Sequence, residues 1–149
     1  MNSTPLVFER TFKAPIAKVW TAITSLEEMK QWYFPMLAAF KPEVGFETAF
    51  NVEHKGNAFE HIWKITEVVP GTKISYEWKY GGFPGNSLVT FELFAEGKQT
   101  RLVLTHSNLE SFQADINPGL AKENFAQGWT SFVDTKLKNY LEQAIVASA

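Results

Sequence analysis

Residues 117–144, NPGLAKENFAQGWTSFVDTKLKNYLEQA, are the stretch on which the fold of this chain depends. Their bulky apolar residues recur at the spacing of a helix with one apolar stripe. These residues are Phe125, Trp129, Phe132, Val133, Leu137, Tyr140, Leu141 and Ala144. Asn117 suits the N-cap position and Pro118 suits the first helical position. The pattern predicts a helix of about 27 residues, roughly 40 Å long at a rise of ~1.5 Å per residue.

The aromatic rings of this predicted helix argue against a coiled coil, because heptad seams prefer Leu, Ile and Val. We therefore expect the helix to lie across a sheet. Gly128 lies in its middle, directly before Trp129, where Gly costs up to about 1 kcal/mol relative to Ala. That cost predicts that a strand or a ligand comes close to the helix backbone at Gly128.

The N-terminal part of the chain predicts one strand followed by two short helices. Val7 to Lys13 alternates in part between apolar and polar residues, which indicates a strand. Ile16 to Thr24 carries apolar residues at helical spacing. Ser25 is the expected N-cap of the second helix, and Glu28 completes a predicted capping box. The apolar segment 34–40 is expected to line or cover a cavity.

From Gly45 onward the pattern changes to strands that are separated by short turn signals. The predicted strands are Phe46 to Val52, Phe59 to Val69, Lys73 to Tyr80, Ser87 to Ala95 and Gln99 to Ser107. Their short connections are typical of hairpins and predict an antiparallel meander. The chain is thus predicted to be an α+β protein. A curved antiparallel six-stranded sheet would wrap around the long C-terminal helix, with two short helices after the first strand.

Alternation along the strands predicts which residues point toward the helix. These inward residues are Phe59, His61, Trp63, Ile65, Ile74, Tyr76, Trp78, Val89, Phe91, Leu93, Thr100, Leu102, Leu104 and His106. One helix cannot fill the concave side of such a sheet, so a cavity between sheet and helix is expected. The aromatic residues that could line this cavity, or pack in the core instead, are Trp63, Trp78, Phe91, Phe125 and Trp129. Trp32 and Phe34 are candidates for closing one end.

Four polar residues also fall on inward positions, namely His61, Tyr76, Thr100 and His106. In an apolar pocket a few convergent polar groups fix the orientation of a ligand, so these residues are candidate anchors. The sequence has no HExxH or GxSxG motif and no carboxylate on an inward strand position. We therefore predict no catalytic residue, no metal and no cofactor. Any proton transfer would depend on His61, His106 or Tyr76.

The composition restricts the class of protein further. With 149 residues, the chain is predicted to form one domain over residues 1–149. The absence of Cys excludes disulfides and thiol chemistry and fits a reducing compartment. A net charge of -2 with interspersed signs argues against nucleic-acid partners. Neither a signal peptide nor a run of ~20 apolar residues is present, so a cytoplasmic protein without integral membrane association is predicted.

Several short motifs resemble those of a known superfamily. They are Arg10-Thr11-Phe12-Lys13-Ala14-Pro15, Val19-Trp20-Thr21-Ala22, Trp32, Gly97-Lys98-Gln99-Thr100-Arg101-Leu102 and Gly128-Trp129. In this order they resemble the START-like (SRPBCC) superfamily, which has the helix-grip fold of the birch-pollen allergen and of polyketide cyclases. The chain is most similar to bacterial relatives of the activator of the 90-kDa heat-shock protein ATPase, C-terminal domain. The resemblance implies a deep hydrophobic cavity, in a family where binding is common and catalysis is rarer.

Three functions are consistent with these patterns. The first is binding of a hydrophobic or amphipathic small molecule, such as a lipid-, sterol- or polyketide-like compound, in the cavity. The second is a chaperone-associated interaction module, which the family resemblance implies. The third is a cyclase- or hydrolase-type enzyme that uses His61 or His106 for proton transfer. The expected ligand-binding residues are Trp32, Phe34, His61, Trp63, Tyr76, Trp78, Phe91, Thr100, His106, Phe125 and Trp129.

Overall fold

The structure is a computed structural model that describes residues 5–54, 57–83, 85–113, 120 and 122–142. Within these residues the strands are β1 (Leu6–Phe12), β2 (Glu47–His54), β3 (Asn57–Val69), β4 (Lys73–Tyr80), β5 (Ser87–Glu96) and β6 (Gln99–Ser107). The helices are α1 (Ile16–Thr24), α2 (Leu26–Trp32) and α3 (Lys122–Trp129), with a 3-10 turn at Leu109–Phe112. The predicted order of one strand, two short helices, five strands and a long helix is confirmed.

The six strands form one antiparallel sheet in the order β1-β6-β5-β4-β3-β2. Strands β2 to β6 are successive neighbours, as predicted for a meander. Strand β1 pairs with β6, from Leu6 opposite His106 to Phe12 opposite Thr100. Because β1 and β2 lie at opposite edges, the segment that contains α1 and α2 must cross from one edge of the sheet to the other.

Strand β3 carries an irregularity that bends the sheet. Its pairing with β4 shifts register between Ile65 and Glu67. A bulge of this kind kinks the strand and increases its twist. Before the bulge Ile65 is buried, and after it Val68 is the half-buried residue. The sheet therefore curves around the helix, and nearly all the residues predicted to point inward are buried. Phe59, near the start of β3, is half-buried.

Helices α1 and α2 meet at Ser25, as predicted, but the capping contacts at Ser25 differ from the prediction. Ser25 makes no side-chain capping bond, so the predicted capping box is wrong. Its backbone N–H donates to Thr21 O at 2.8 Å, because Ser25 also ends α1. Glu28 instead hydrogen-bonds Tyr140 of the C-terminal helix, and burial together with this carboxylate raises the pKa of Tyr140 to about 12. Glu28 therefore joins α2 to the C-terminal helix.

The C-terminal helix is longer than α3, because the chain continues helically through residues 130–142. Thr130–Leu137 has the wider π-helical geometry, which the periodicity did not predict. The residues buried against the sheet recur every four positions, at Phe125, Trp129, Val133, Leu137 and Leu141. Residues spaced four apart shift gradually in angular position around a helix with 3.6 residues per turn. The wider turn of a π-helix shifts them back in the opposite direction. The π-helical stretch thus keeps one stripe facing the sheet.

Polar contacts fix the C-terminal helix to the first strand. The Arg10 guanidinium forms an ion pair with Asp134, and the Lys13 backbone N–H donates to Glu142 at 3.3 Å. Six residues of the predicted helix lie outside the described residues, namely Asn117, Pro118, Gly119, Ala121, Gln143 and Ala144. The single domain over residues 1–149 stays a prediction.

Candidate functional site

A cavity of about 220 Å³ lies between the C-terminal helix and strands β2, β3 and β4, and it is partly open to solvent. Twelve side chains or backbone positions form its wall. They are Phe34, Val52, Phe59, His61, Trp78, Tyr80, Leu120, Asn124, Phe125, Gly128, Trp129 and Phe132. No Lys, Arg, Asp or Glu among the described residues is part of this wall. The cavity is therefore a mostly aromatic space with a few neutral polar groups.

Five of the eleven predicted ligand-binding residues line the cavity, namely Phe34, His61, Trp78, Phe125 and Trp129. The other six are buried behind its wall. They are Trp32, Trp63, Tyr76, Phe91, Thr100 and His106. A role of any of the eleven in binding stays a prediction.

Two of the six buried residues donate hydrogen bonds to backbone carbonyls of the N-terminal segment. The Trp32 indole N–H donates to Ala22 O at 2.7 Å and anchors α2 to α1. The Thr100 hydroxyl donates to Ala14 O at 2.7 Å, which ties β6 to the start of α1. Both hydrogens are bonded within the protein, so neither is left to donate to a ligand.

Tyr76 forms a buried pair with Tyr33, whose hydroxyl oxygen lies 2.7 Å from its own. Burial raises the pKa of both phenols well above the ordinary value, so both are neutral at physiological pH. The Trp63 indole N–H is buried without a partner among the described residues. Trp63 and Phe91 both pack on the Tyr76 ring, with centroids 4.7 and 6.1 Å away. These residues form the core beneath the cavity.

His106 is held by a chain of hydrogen bonds that fixes its tautomer. The Trp129 indole N–H donates to His106 Nδ1 at 2.9 Å, so the proton of the neutral ring is on Nε2. His106 Nε2–H then donates to Ser87 Oγ at 2.8 Å, and the Ser87 hydroxyl donates to Trp78 O at 2.7 Å. The chain of bonds thus connects the C-terminal helix with β6, β5 and β4.

This chain of bonds leaves His106 unsuited to catalysis. To act as a general base toward Ser87, His106 would need an unprotonated nitrogen facing the Ser87 hydroxyl. Here Nε2–H instead donates a hydrogen bond to Ser87 Oγ. Both ring nitrogens are already bonded, and burial lowers the pKa of His106 to about 3. Of the two histidines considered for proton transfer, only His61 retains a free nitrogen among the described residues.

His61 lines the cavity and is held differently from His106. Its Nδ1 lies 3.1 Å from Phe59 O, which can only accept, so Nδ1 carries the proton. Nε2 therefore presents a lone pair, and no described residue bonds to it. The ring stacks on Phe50 at 5.2 Å and lies edge-on to Tyr80 at 4.7 Å. Burial lowers the pKa of His61 to about 4, against a raising effect of the Phe59 carbonyl.

Tyr80 is a cavity residue that the sequence analysis did not identify. It lies opposite His61 in the β3–β4 pairing. Its hydroxyl oxygen accepts the Trp78 indole N–H at 2.9 Å, and burial raises the pKa of the phenol well above its ordinary value. The signal was present, because Tyr80 continues the alternation of Ile74, Tyr76 and Trp78 by one more step.

Gly128 lines the cavity, and the expectation that a strand approaches it closely is wrong. A Cβ atom added at Gly128 would meet nothing within 4 Å apart from the helix itself and its chain neighbours. The glycine therefore leaves space open at the cavity wall. The remaining residues missed by the sequence analysis as site residues are Val52, Phe59, Leu120, Asn124 and Phe132. The sequence predicted Phe59 only as an inward residue of a strand and Phe132 only as part of the apolar stripe of the C-terminal helix.

A curved antiparallel sheet that holds a C-terminal helix over a hydrophobic cavity defines the helix-grip, START-like fold. The chain belongs to the family described as Activator of Hsp90 ATPase homolog 1-like protein, whose family model matches residues 13–142. The family suggested by the sequence motifs is thereby confirmed. A search of curated proteins gave no match.

Solved structures of bacterial proteins share this fold. A Chromobacterium violaceum protein superposes with a TM-score of 0.77 at 18% identity, over 93% of this chain and 97% of that one. A Mesorhizobium loti protein has a TM-score of 0.68 at 28% identity, over 93% and 97% of the two chains. DynU16, from the dynemicin biosynthetic locus, has a TM-score of 0.72 at 23% identity. This chain covers 49% of DynU16, and 96% of this chain is aligned.

The described residues also bear on other classes of site. None of the described helices combines the length and apolar character that a membrane span requires. Among the same residues, no three His, Asp or Glu side chains come together in a group that could hold a metal ion.

Proposed function

We propose that the protein binds an apolar or amphipathic small molecule in the cavity between the sheet and the C-terminal helix. The observation that carries this proposal is the 220 Å³ space with aromatic walls beside the open backbone of Gly128. Ligand pockets are typically concave and mostly apolar, with few polar groups that orient the ligand. Phe34, Trp78, Phe125 and Trp129 supply the apolar wall, and His61 and Tyr80 supply polar groups.

The volume of the cavity limits the part of the ligand that is enclosed. A cavity of about 150 Å³ holds benzene, so one of 220 Å³ has room for a substituted benzene or two small rings. It is smaller than the roughly 300–1,000 Å³ of pockets that hold drug-sized ligands. A lipid-, sterol- or polyketide-like ligand would therefore insert one end and leave the remainder at the open side.

The binding proposal can be tested by filling the cavity from its own wall. Gly128→Leu places a side chain where no neighbour lies within 4 Å, so the leucine has room to occupy the space of the ligand. We expect wild type to bind ethylbenzene in isothermal titration calorimetry and Gly128→Leu not to bind it. The variant should also be more stable by up to about 1 kcal/mol, because Gly is unfavourable within a helix.

Gln127→Leu is the matched control for this experiment. Gln127 is the preceding residue of the same helix, and its side chain is exposed and does not line the cavity. This variant should bind ethylbenzene as wild type does. If Gly128→Leu bound ethylbenzene with unchanged affinity, the ligand would not use this cavity and the proposal would fail. Native mass spectrometry of protein purified from its host would then identify any ligand retained elsewhere.

A second candidate function is contact with a chaperone of the 90-kDa heat-shock class. The family description supports it, because the family is named for an activator of that ATPase. The test is the ATPase rate of the purified chaperone with and without this protein. An increase that Gly128→Leu retains would support a role independent of the cavity, and an unchanged rate would remove this candidate. Either function is compatible with the cytoplasmic location that we propose from the sequence.

A further inference from the structure

We propose that the cavity selects an uncharged ligand that carries a hydroxyl group on a small hydrophobic body. The hydroxyl would donate a hydrogen bond to His61 Nε2 and accept one from the Tyr80 phenol. This inference rests on the proposed binding function and adds the chemical class of the ligand. It is carried by two polar residues that lie opposite each other on neighbouring strands, with ring centroids 4.7 Å apart, and that both line the cavity.

The acceptor of this pair is determined by the backbone of β3. A neutral imidazole has one N–H group, and in His61 this is Nδ1–H, which donates to Phe59 O at 3.1 Å. Nε2 can then only accept. His61 is only 6% exposed, and it lines the cavity. Nε2 has no partner among the described residues, so a ligand or a water in the cavity can donate to it.

The donor of the pair is determined by the neighbouring indole. The Tyr80 oxygen accepts the Trp78 N–H at 2.9 Å, so the Tyr80 hydrogen is left for another acceptor. No described residue accepts it. An alcohol or phenol is the simplest group that both donates and accepts, and it therefore matches His61 and Tyr80 together.

The cavity wall also argues against a charged ligand. Among the residues that the structure describes, it contains no basic or acidic side chain that could neutralise a carboxylate or an ammonium group. Burying an unpaired charge is far more costly than burying a neutral hydroxyl that finds its partners. A carboxylate of the same size would in addition meet the lone pair of His61. Discrimination against anions is therefore expected to be strong.

The test uses three ligands with the same body, namely 4-ethylphenol, ethylbenzene and 4-ethylbenzoate. Calorimetry at neutral pH should show 4-ethylphenol binding about threefold to tenfold more tightly than ethylbenzene, the effect of one net neutral hydrogen bond. Binding of 4-ethylbenzoate should be lost. His61→Phe and Tyr80→Phe should each remove the preference for the phenol while ethylbenzene is still bound. His61→Gln, which restores an acceptor, should retain part of the preference.

Tyr76→Phe is the matched control, because it removes a buried hydroxyl from the same strand outside the cavity wall. It should leave the preference for the phenol unchanged. If wild type bound ethylbenzene as tightly as 4-ethylphenol, or if both His61→Phe and Tyr80→Phe kept the preference, this inference would be overturned and the binding function would stand. If wild type bound neither neutral ligand, both proposals would fail. Thermal unfolding of each variant shows whether it is folded.

Discussion

Two buried histidines, His61 and His106, lie on the same face of the same sheet and have opposite roles in the structure. His106, in β6, has both ring nitrogens bonded, to Trp129 and Ser87. His61, in β3, bonds only through Nδ1, to the carbonyl of Phe59, and its other nitrogen faces the cavity. The residue type and the strand phase are the same, so the difference comes from the neighbours.

The comparison shows how a buried polar group can be structural or available to a ligand. Satisfied polar networks make a core specific, whereas a polar group left unpaired beside a cavity needs an external partner. His106 joins three strands to the C-terminal helix and has no capacity left. His61 is neutral as well, but it keeps one acceptor. The following predictions test this difference in order of expected size.

The largest expected effect is loss of stability in acid. Both histidines have a pKa lowered by burial, to about 4 for His61 and about 3 for His106, against 6.5 when unfolded. Between these values the unfolded chain binds more protons, so stability falls as pH decreases below about 6.5. At 1.36 kcal/mol per pKa unit the loss approaches roughly 3 kcal/mol for His61 and 5 kcal/mol for His106.

The measurement is the free energy of urea unfolding at several pH values between 7 and 4.5. His106→Gln can still accept from Trp129 and donate to Ser87, so it should fold. Because Gln does not titrate, the variant no longer takes up the proton that His106 binds on unfolding. Its slope should be lower by up to about 1.4 kcal/mol per pH unit. His61→Phe should lower the slope by a similar amount. An unchanged slope in His106→Gln would mean that His106 is not the buried neutral group described here.

Trp129→Ala is expected to have the next largest effect. Trp129 is buried and donates to His106, so the substitution leaves a void and an unpaired acceptor. We expect a loss of about 3–5 kcal/mol in the free energy of unfolding. Trp129→Phe keeps a ring but removes the donor, and should cost about 1–3 kcal/mol. A loss in Trp129→Ala below that of Trp129→Phe would show that the ring contributes little packing.

Ser87→Ala should have the smallest of these effects and would sharpen the contrast between the two histidines. It removes the acceptor of His106 Nε2–H and the donor to Trp78 O. Leaving these groups unpaired should cost about 1–3 kcal/mol in urea unfolding. Because Ser87 is outside the cavity wall, affinity for 4-ethylphenol should not change. A variant that kept its stability but lost affinity would contradict the separation between His106 and the cavity.

Most of the fold could be predicted because it depends on local patterns. Strands Lys73–Tyr80 and Gln99–Ser107 and helix Ile16–Thr24 have the predicted bounds, since alternation and helical spacing are repeated in each. The capping box at Ser25 failed because the preceding helix ends at the same residue, so the backbone of Ser25 was already bonded. The π-helical Thr130–Leu137 was missed because the apolar stripe alone does not report the width of a turn.

The site was less predictable than the fold. Alternation correctly placed His61, Trp78 and their neighbours on the buried face, but it could not separate the cavity wall from the core behind it. Both kinds of residue are apolar and inward, and the boundary depends on how closely the helix approaches each strand. Gly128 illustrates this limit, since its presence signalled a special position but not an open space.

The sequence by itself determined the order of elements, the buried face of strands β3 to β6 and the absence of thiol chemistry. These properties follow from local periodicity and composition, which do not require knowledge of distant contacts. Only the tertiary structure decided the tautomers of His61 and His106, the open wall at Gly128 and the pairing of His61 with Tyr80. Each of these depends on distances between atoms from separate elements, and those distances are set only when the sheet closes around the helix.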